Sequence, residues 1–276
     1  MSHVFDLHTH STASDGILSP ALLVEKAHSV GINTLALTDH DTVSGLAAAQ
    51  SAAKKYNITL INGIELSCLW NNKTIHVVGL NFNAESKTII DATTHLNQLR
   101  EERAIKIGEK LKKVGINDAY ENAKRIAAGG TVTRQHFSTY LIENGNAKNQ
   151  TDVFKRYLVN NKPGYAAVEW PSLEDTITQI NNAGGVSVIA HPLRYKLTAT
   201  KLRELIKDFK ELGGSAIEVV TGHNQSNEIE MATAYAKRYD TAASVGSDFH
   251  SGNTAWSQLG KLTELPQGLT PVWEVW

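Results

Sequence analysis

Seven short runs of β-branched and aliphatic residues, separated by stretches with helical periodicity, predict an α/β protein built from parallel βαβ units. Two further observations agree with that class. At 276 residues and 41% hydrophobic content, the chain can bury one large α/β core or a core carrying an insertion. The helical stretches also begin and end on residues that physically start and stop helices. Seven strand–helix alternations fit a barrel or a doubly wound sheet.

In chain order, strands are expected at Val4–Leu7, Thr34–Thr38, Thr59–Gly63, Ile75–Gly79, Val186–Ala190, Ala216–Val220 and Ala242–Gly246. Ser19-Pro20 offers an N-cap followed by proline at the first helical position, and Gly31 suits the far end of that helix. From about Ile89 to Asn161 the pattern is helical without a convincing strand. Leu99–Val114 reads as a charged amphipathic helix ended by Gly115, and Arg134–Glu143 as a second helix. Residues 89–161 are therefore taken as a helical insertion, with 1–88 and 162–276 forming the main α/β unit. Ser172 with Asp175 resembles a capping box, stopped at Gly184-Gly185, and Gly213-Gly214 closes a helix beginning near Thr200.

Composition excludes several functions. A formal net charge of −1 argues against wrapping long DNA or coating an acidic membrane, while leaving room for a local cationic pocket. The single cysteine, Cys68, rules out an intramolecular disulfide and disfavours a thiolate zinc site. The start, MSHVFDLHTH, lacks the pattern of a signal peptide, and no apolar run approaches the roughly 18 residues of a membrane span, so a cytoplasmic location is expected.

The informative residues are histidines and acids at the ends of predicted strands. His8, His10 and Asp15 follow the first strand in DLHTHSTASDG; Asp39 and His40 follow the second in LALTDHDT; Glu65 follows the third in INGIELS. His76 lies in the fourth strand, His191 follows the fifth in VIAHPLRY, and Asp248 and His250 follow the seventh in SVGSDFH. In a parallel barrel the carboxyl ends of the strands meet at one face. Imidazole nitrogens and carboxylate oxygens gathered there suit Zn²⁺, Mn²⁺ or Fe²⁺. His8, His10, Asp15, His40, Glu65, His76, His191, Asp248 and His250 exceed the needs of one ion, so two or three divalent ions are expected.

Each piece has an ordinary alternative. A lone His-x-His is often a polar loop, Asp39 or Asp41 could cap a helix, His76 could be a hydrogen-bonded core histidine, and His191 before Pro192 could be a turn residue. Their joint recurrence at strand ends favours the metal reading. His3, His28, His95 and His223 are expected at the surface. TVTRQHF could be a helix start capped by Thr133, or could bring Arg134 to a phosphate; Arg194 in HPLRY is the better-placed phosphate contact and Lys162 a third candidate. Tyr140 could stack on a base or pack the insertion's own core.

DLHTHSTASDG, TDHDT, GIELS, IHVVG, AHPLRY and GSDFH, in this order, resemble the signature of the polymerase-and-histidinol-phosphatase (PHP) family, from His8 to His250. The TRQHF and VFKRYL…KPGY segments are similar to the subgroup containing the bacterial 3′,5′-nucleotide bisphosphate phosphatases and 5′-to-3′ exoribonucleases. The resemblance implies a distorted seven-stranded (β/α) barrel with a trinuclear metal site and the helical insertion over its mouth. It implies one ion on His8, His10, Glu65 and Asp248, a second on the bridging Glu65 with His76 and His191, and a third on Asp15, His40 and His250. Arg134 and Arg194 carry over as phosphate contacts. The implied reaction is metal-assisted hydrolysis of a phosphate ester, with Mn²⁺ first and Fe²⁺ or Zn²⁺ as alternatives. His191 and His250 are candidates to help the leaving group depart. The implied substrates are a nucleotide bisphosphate or short 5′-phosphorylated RNA, with no obligate protein partner. Rival readings are a histidinol-phosphate-type phosphatase, a metal-dependent amidohydrolase and a PHP module without catalysis.

Overall fold

The computed structural model describes residues 3–222, 224–251 and 258–276; His223, expected at the surface, lies outside them. Its seven strands are β1 Phe5–Asp6, β2 Thr34–Leu37, β3 Thr59–Trp70, β4 Lys73–Leu80, β5 Val186–Ile189, β6 Ala216–Thr221 and β7 Ala242–Gly246, hydrogen-bonded in sequence order. Leu7 N–H donates to Val245 O (3.0 Å), Asp248 N–H to His8 O (2.8 Å) and His10 N–H to Phe249 O (2.9 Å), which brings β7 back against β1. The result is a nearly closed, distorted seven-stranded barrel. No helix among the described residues is long and apolar enough to cross a membrane.

One expectation needs correcting: the sheet is not uniformly parallel. β4 runs antiparallel to both β3 and β5. The cause is a two-residue loop, Asn71-Asn72, with both residues at positive φ (45° and 59°), the geometry of a tight hairpin whose twist matches its strands. β3 therefore runs on through Glu65 to Trp70, well beyond the Gly63 expected from the sequence. No helix separates β3 from β4.

Helices cover the barrel where the caps foretold them. α1 (Pro20–Ser29) is capped by Ser19, whose side chain accepts from Leu22 N–H, and α2 (Leu46–Tyr56) follows β2. The insertion contains α3 (Lys87–Lys112), α4 (Ala119–Ala127), α5 (Arg134–Glu143) and α6 (Gln150–Val153), the last continuing into a wider π-type turn, Phe154–Leu158. α7 (Leu173–Asn182) starts on the Ser172–Asp175 capping box, α8 (Ala199–Glu211) follows β5, and α9 (Ser226–Tyr239) joins β6 to β7.

Burial divides along the same lines. Alternation along the strands turns Leu7, Ala36, Val78, Leu80, Val188, Ala190, Ala216 and Ala242 into one cluster inside the barrel, where small side chains fit the narrow interior. Val272 joins it, and Trp273 stacks on Phe5 with ring centroids 3.8 Å apart. A larger core lies between the strands and their helices. The insertion has its own core of Ala104, Ile107, Leu111, Phe137, Leu141 and Leu158 among others. Ile89 and Leu96, from the first half of α3, belong to the barrel-side core instead, so this one helix runs from one core into the other.

Candidate metal centre

His8 and His10 leave β1 fully buried, side chains directed inward. Gly246 permits this approach, because a Cβ there would lie 2.2 Å from His8 Cβ. The next loop folds tightly back on His10: a Cβ at Gly16 would meet His10 O at 2.2 Å, and that loop carries Asp15. An isolated bridge between His40 and Glu65 extends the β2–β3 pairing past Leu37 to the rim. His76 pairs with Ser67, so antiparallel β4 delivers it to the same level. His191 and Asp248 both sit in left-handed backbone (φ 32° and 53°), a conformation costing on the order of 1–3 kcal/mol for a non-glycine residue and characteristic of functional sites.

All nine side chains proposed from the sequence converge. His8 Nε2 and His10 Nε2 are 3.1 Å apart, each 3.3 Å from Glu65 Oε2, and 3.4 and 3.2 Å from Asp248 Oδ1. His40 Nδ1 lies 3.0 Å from the same Glu65 Oε2. The other oxygen, Oε1, faces His76 Nδ1 at 2.9 Å and His191 Nε2 at 3.1 Å. One carboxylate thus addresses two sets of imidazoles, the arrangement of a bridging ligand. Asp15 Oδ1 is 3.3 Å from His250 Nε2 and 3.9 Å from His40 Nε2.

The electrostatics show what this crowding demands. Burial alone would raise the carboxyl pKa of Glu65, yet His40, His76 and His8 hold it well below the usual carboxylate range. Burial is likewise outweighed at Asp248, by His8 and His250, and at Asp15, by His250 and His40. Burial pushes His40 down to about 4 against the pull of Glu65 and Asp15. His250, despite burial, is raised to about 10 by Asp15 and Asp248. These acids call for positive charge, and a proton on His250 and a divalent cation beside it are alternative ways to provide it.

Buried polar atoms left without hydrogen bonds test the fit to metal. Among the described residues these include His10 Nδ1, Asp15 Oδ1, His40 Nδ1, Glu65 Oε2 and His191 Nδ1. Buried polar atoms are nearly always satisfied, so this concentration of lone pairs at one rim suits the binding of cations. Three groups have ligand atoms within 4.8 Å of one another: His8, His10, Glu65 and Asp248; His40, Glu65 and His76; and His10, Asp15, His40 and His250. The first has the same members as the set that the family resemblance implies. In the second His40 stands where His191 was expected, and the third gains His10, so His10 and His40 lie between groups.

Asp39 and Asp41 have roles other than those the sequence suggested, and Glu218 was not singled out at all. Asp39 neither caps a helix nor joins the ligands; it accepts from Ser11 N–H (2.8 Å), Ser11 Oγ–H (2.6 Å) and Ser14 Oγ–H (2.6 Å), pinning the loop that bears Asp15. Asp41 accepts from Ser67 N–H (2.7 Å) and Arg100 Nε–H (2.5 Å), tying α3 to β3. Glu218 bonds His8 and His191 from inside β6; its only signal was a lone acid in the apolar run AIEVV.

The proposed phosphate contacts fare differently. A cavity of about 380 Å³ opens over the rim, with Asp15, His40, His76 and His250 on the barrel side. Arg100, Arg103 and Arg134 line its opposite wall, with Phe154, Tyr165 and Trp170. Arg100 is engaged with Asp41, but no carboxylate of the described residues pairs with Arg103 or Arg134. Burial and the neighbouring Arg134 and Arg100 depress Arg103 to about 9, and burial with Arg100 lowers Arg134. Arg194 is instead ion-paired with Asp248, and Lys162 is exposed and off the cavity wall. Arg103 sits one turn after Arg100 in REER, a spacing indistinguishable in sequence from a solvated helix face. His136 completes a capping box, accepting from Thr133 N–H (3.0 Å), and Tyr140 packs in the insertion's core with its hydroxyl on Asn117 O (2.8 Å). His3, His28 and His95 are exposed.

A family model described as the PHP domain matches residues 6–169. The chain belongs to the PHP family. It is 44% identical over 274 residues to a 5′-3′ exoribonuclease of Haemophilus influenzae, covering 99% of both chains. It is 37% identical over 269 residues to a 3′,5′-nucleoside bisphosphate phosphatase of Chromobacterium violaceum, covering 97% of this chain and 94% of that one. The fold matches a crystal structure from Chromobacterium violaceum, described as an amidohydrolase with bound sulfate and no metal, with a TM-score of 0.93 and 37% identity over 98% of this chain and 95% of that one.

Proposed function

We propose that this PHP chain is a divalent-metal-dependent phosphoesterase acting on nucleotides that carry a second, terminal phosphate. Its substrates on this reading are 3′,5′-bisphosphonucleotides and the 5′-phosphorylated ends of short RNA. The observation that carries the proposal is one cavity with two opposed demands: a rim of acids and imidazoles suited to cations, and a wall where Arg103 and Arg134 have no ion-paired carboxylate among the described residues. A phosphate diester or monoester with a further phosphate answers both. The similarity to the exoribonuclease and the bisphosphate phosphatase supports the same choice.

His8, His10, Glu65 and Asp248 would hold one ion, Glu65 with His76, His191 and His40 a second, and Asp15, His250 and their neighbours a third. Mixed nitrogen and oxygen donors without sulfur suit Mn²⁺, Fe²⁺ or Zn²⁺ alike, and the family resemblance puts Mn²⁺ first. Bound there, such ions supply a water of lowered pKa and stabilise charge on phosphate oxygens. Glu65 keeps both oxygens aimed at the two imidazole sets. His191, lowered by burial, stays neutral and able to ligate, whereas His250 Nε2 beside Asp15 would either ligate the third ion or, with two ions bound, hold a proton for the departing oxygen. Arg103 and Arg134 grip the terminal phosphate and so set which ester reaches the rim. Trp170, flanked by Arg100 at 5.4 Å and Arg103 at 5.8 Å, stiffens that wall.

A phosphate- and nucleotide-release screen with Mn²⁺ tests the proposal. It compares adenosine 3′,5′-bisphosphate, a 5′-phosphorylated oligoribonucleotide, its 5′-hydroxyl counterpart, histidinol phosphate and a 5′-mononucleotide. Highest kcat/KM on the first two is expected. Preference for histidinol phosphate, or turnover indifferent to the terminal phosphate, would reject it.

A further inference from the structure

Glu218 lies on β6, 2% exposed, between Ile217 and Val219 in a strand that is otherwise almost wholly apolar. A carboxylate in such surroundings persists only when both oxygens are engaged. Here they go to different places. Oε1 lies 2.7 Å from His8 Nδ1, and Oε2 accepts from the backbone N–H of His191 at 2.5 Å. The pairing of β6 with β7 is irregular between Glu218 and Val220, a local distortion of the kind that re-aims a side chain at an active site.

These two contacts reach different parts of the metal centre. His8 faces the group formed with His10 and Asp248, whereas His191 Nε2 faces the opposite oxygen of Glu65. We propose that Glu218 is a positioning residue that prepares both cation positions at once. A proton held on His8 Nδ1 by Glu218 leaves Nε2 bare and pointed at the first position. The second oxygen anchors the His191 backbone, which has left-handed geometry (φ 32°, ψ 56°) and needs a restraint to persist. Carboxylates behind a ligating histidine act in this way, and their removal weakens metal binding by roughly 10–100-fold. Glu218 differs from a simple carboxylate–histidine pair in serving two ligands from two strands. The inference rests on the reading that His8 and His191 ligate metal.

Mn²⁺ binding to the full-length protein, measured as ions per chain and affinity by equilibrium dialysis, tests it on wild type and Glu218→Gln. Glutamine keeps the size, but its amide nitrogen cannot accept the hydrogen bond that one of the two partners must lose. A roughly tenfold or greater fall in Mn²⁺ affinity is expected, with the melting temperature of the chelated variant near that of chelated wild type. Unchanged Mn²⁺ affinity with an equal loss of melting temperature in both forms would mark a structural role and overturn the inference. Wild type that takes up no Mn²⁺ would overturn the metal reading itself, a distinguishable result. Should the variant fail to fold, the Zn²⁺-loaded wild type decides: NMR of the His8 ring is expected to show Nδ1–H with Nε2 unprotonated, and the opposite tautomer would overturn the proposal.

Discussion

The barrel rim and the helical insertion face each other across one cavity and are unbalanced in opposite senses. On the rim, acids and imidazoles are packed so tightly that several buried atoms have no hydrogen bond, and Glu65, Asp248 and Asp15 are held ionised by their histidine neighbours. On the insertion, Arg103 and Arg134 are pressed into a half-buried wall where no carboxylate among the described residues ion-pairs with them, and burial with neighbouring guanidinium groups lowers the pKa of each. Either surface alone would be a poor way to fold a protein, since uncompensated buried charge is costly. Together they describe a site completed by cations on one side and an anion on the other. On the function proposed above, the difference separates two tasks, with chemistry on the rim and choice of substrate on the insertion.

The separation can be broken most decisively at Glu65. Glu65→Ala is expected to lower kcat by about 10³-fold or more at saturating Mn²⁺, because the oxygens facing both imidazole sets disappear together. Circular dichroism should show the fold retained. A near-normal kcat would end the bridging assignment. Chelation acts on the same surface without changing a residue. Treatment with EDTA should abolish turnover and lower the melting temperature. Ions present at a hundredfold over their Kd stabilise by about 2.7 kcal/mol, or about 5–10 °C for a chain of this size. No change in melting temperature would show that the rim holds no ion in the folded protein.

On the insertion the expected signature is different. Arg103→Ala and Arg134→Ala should each raise KM for a 5′-phosphorylated substrate about 10–100-fold, matching the loss of a charge-assisted contact, while kcat stays within a few-fold. Equal effects on substrates with and without the terminal phosphate would erase the division of labour. The smallest effects sharpen its edge. Arg194→Ala, which removes the guanidinium paired with Asp248, should change Mn²⁺ affinity more than it raises KM, and Lys162→Ala should change neither by more than about twofold.

The candidate ligands were legible because most lie within a few residues of strand ends, where secondary structure and side-chain chemistry are read together. DLHTH, TDH, AHP and GSDFH needed only the rule that such ends meet. Glu65 and His76 were legible as candidate ligands but not as to placement, because the Asn71-Asn72 hairpin, which lengthens β3 and reverses β4, resembles any polar loop in sequence. Glu218 and Asp41 were hidden for another reason. A buried acid is informative only through its partners, and those partners, His8 and His191, or Ser67 and Arg100, lie 26 to 210 positions away. Arg194 shows the same limit: nearness to His191 in the chain said nothing of Asp248, with which it is ion-paired.

By itself, the chain's linear order determined which chemistry was available, since alternating periodicities specify strands and helices, and residue type specifies donor atoms. Tertiary structure alone decided how those atoms are shared: which nitrogen faces which oxygen, which arginines remain unmatched, and which acid supports ligands rather than joining them. Ligand geometry depends on distances of a few ångströms between segments brought together only when the barrel closes, and no local propensity encodes such distances.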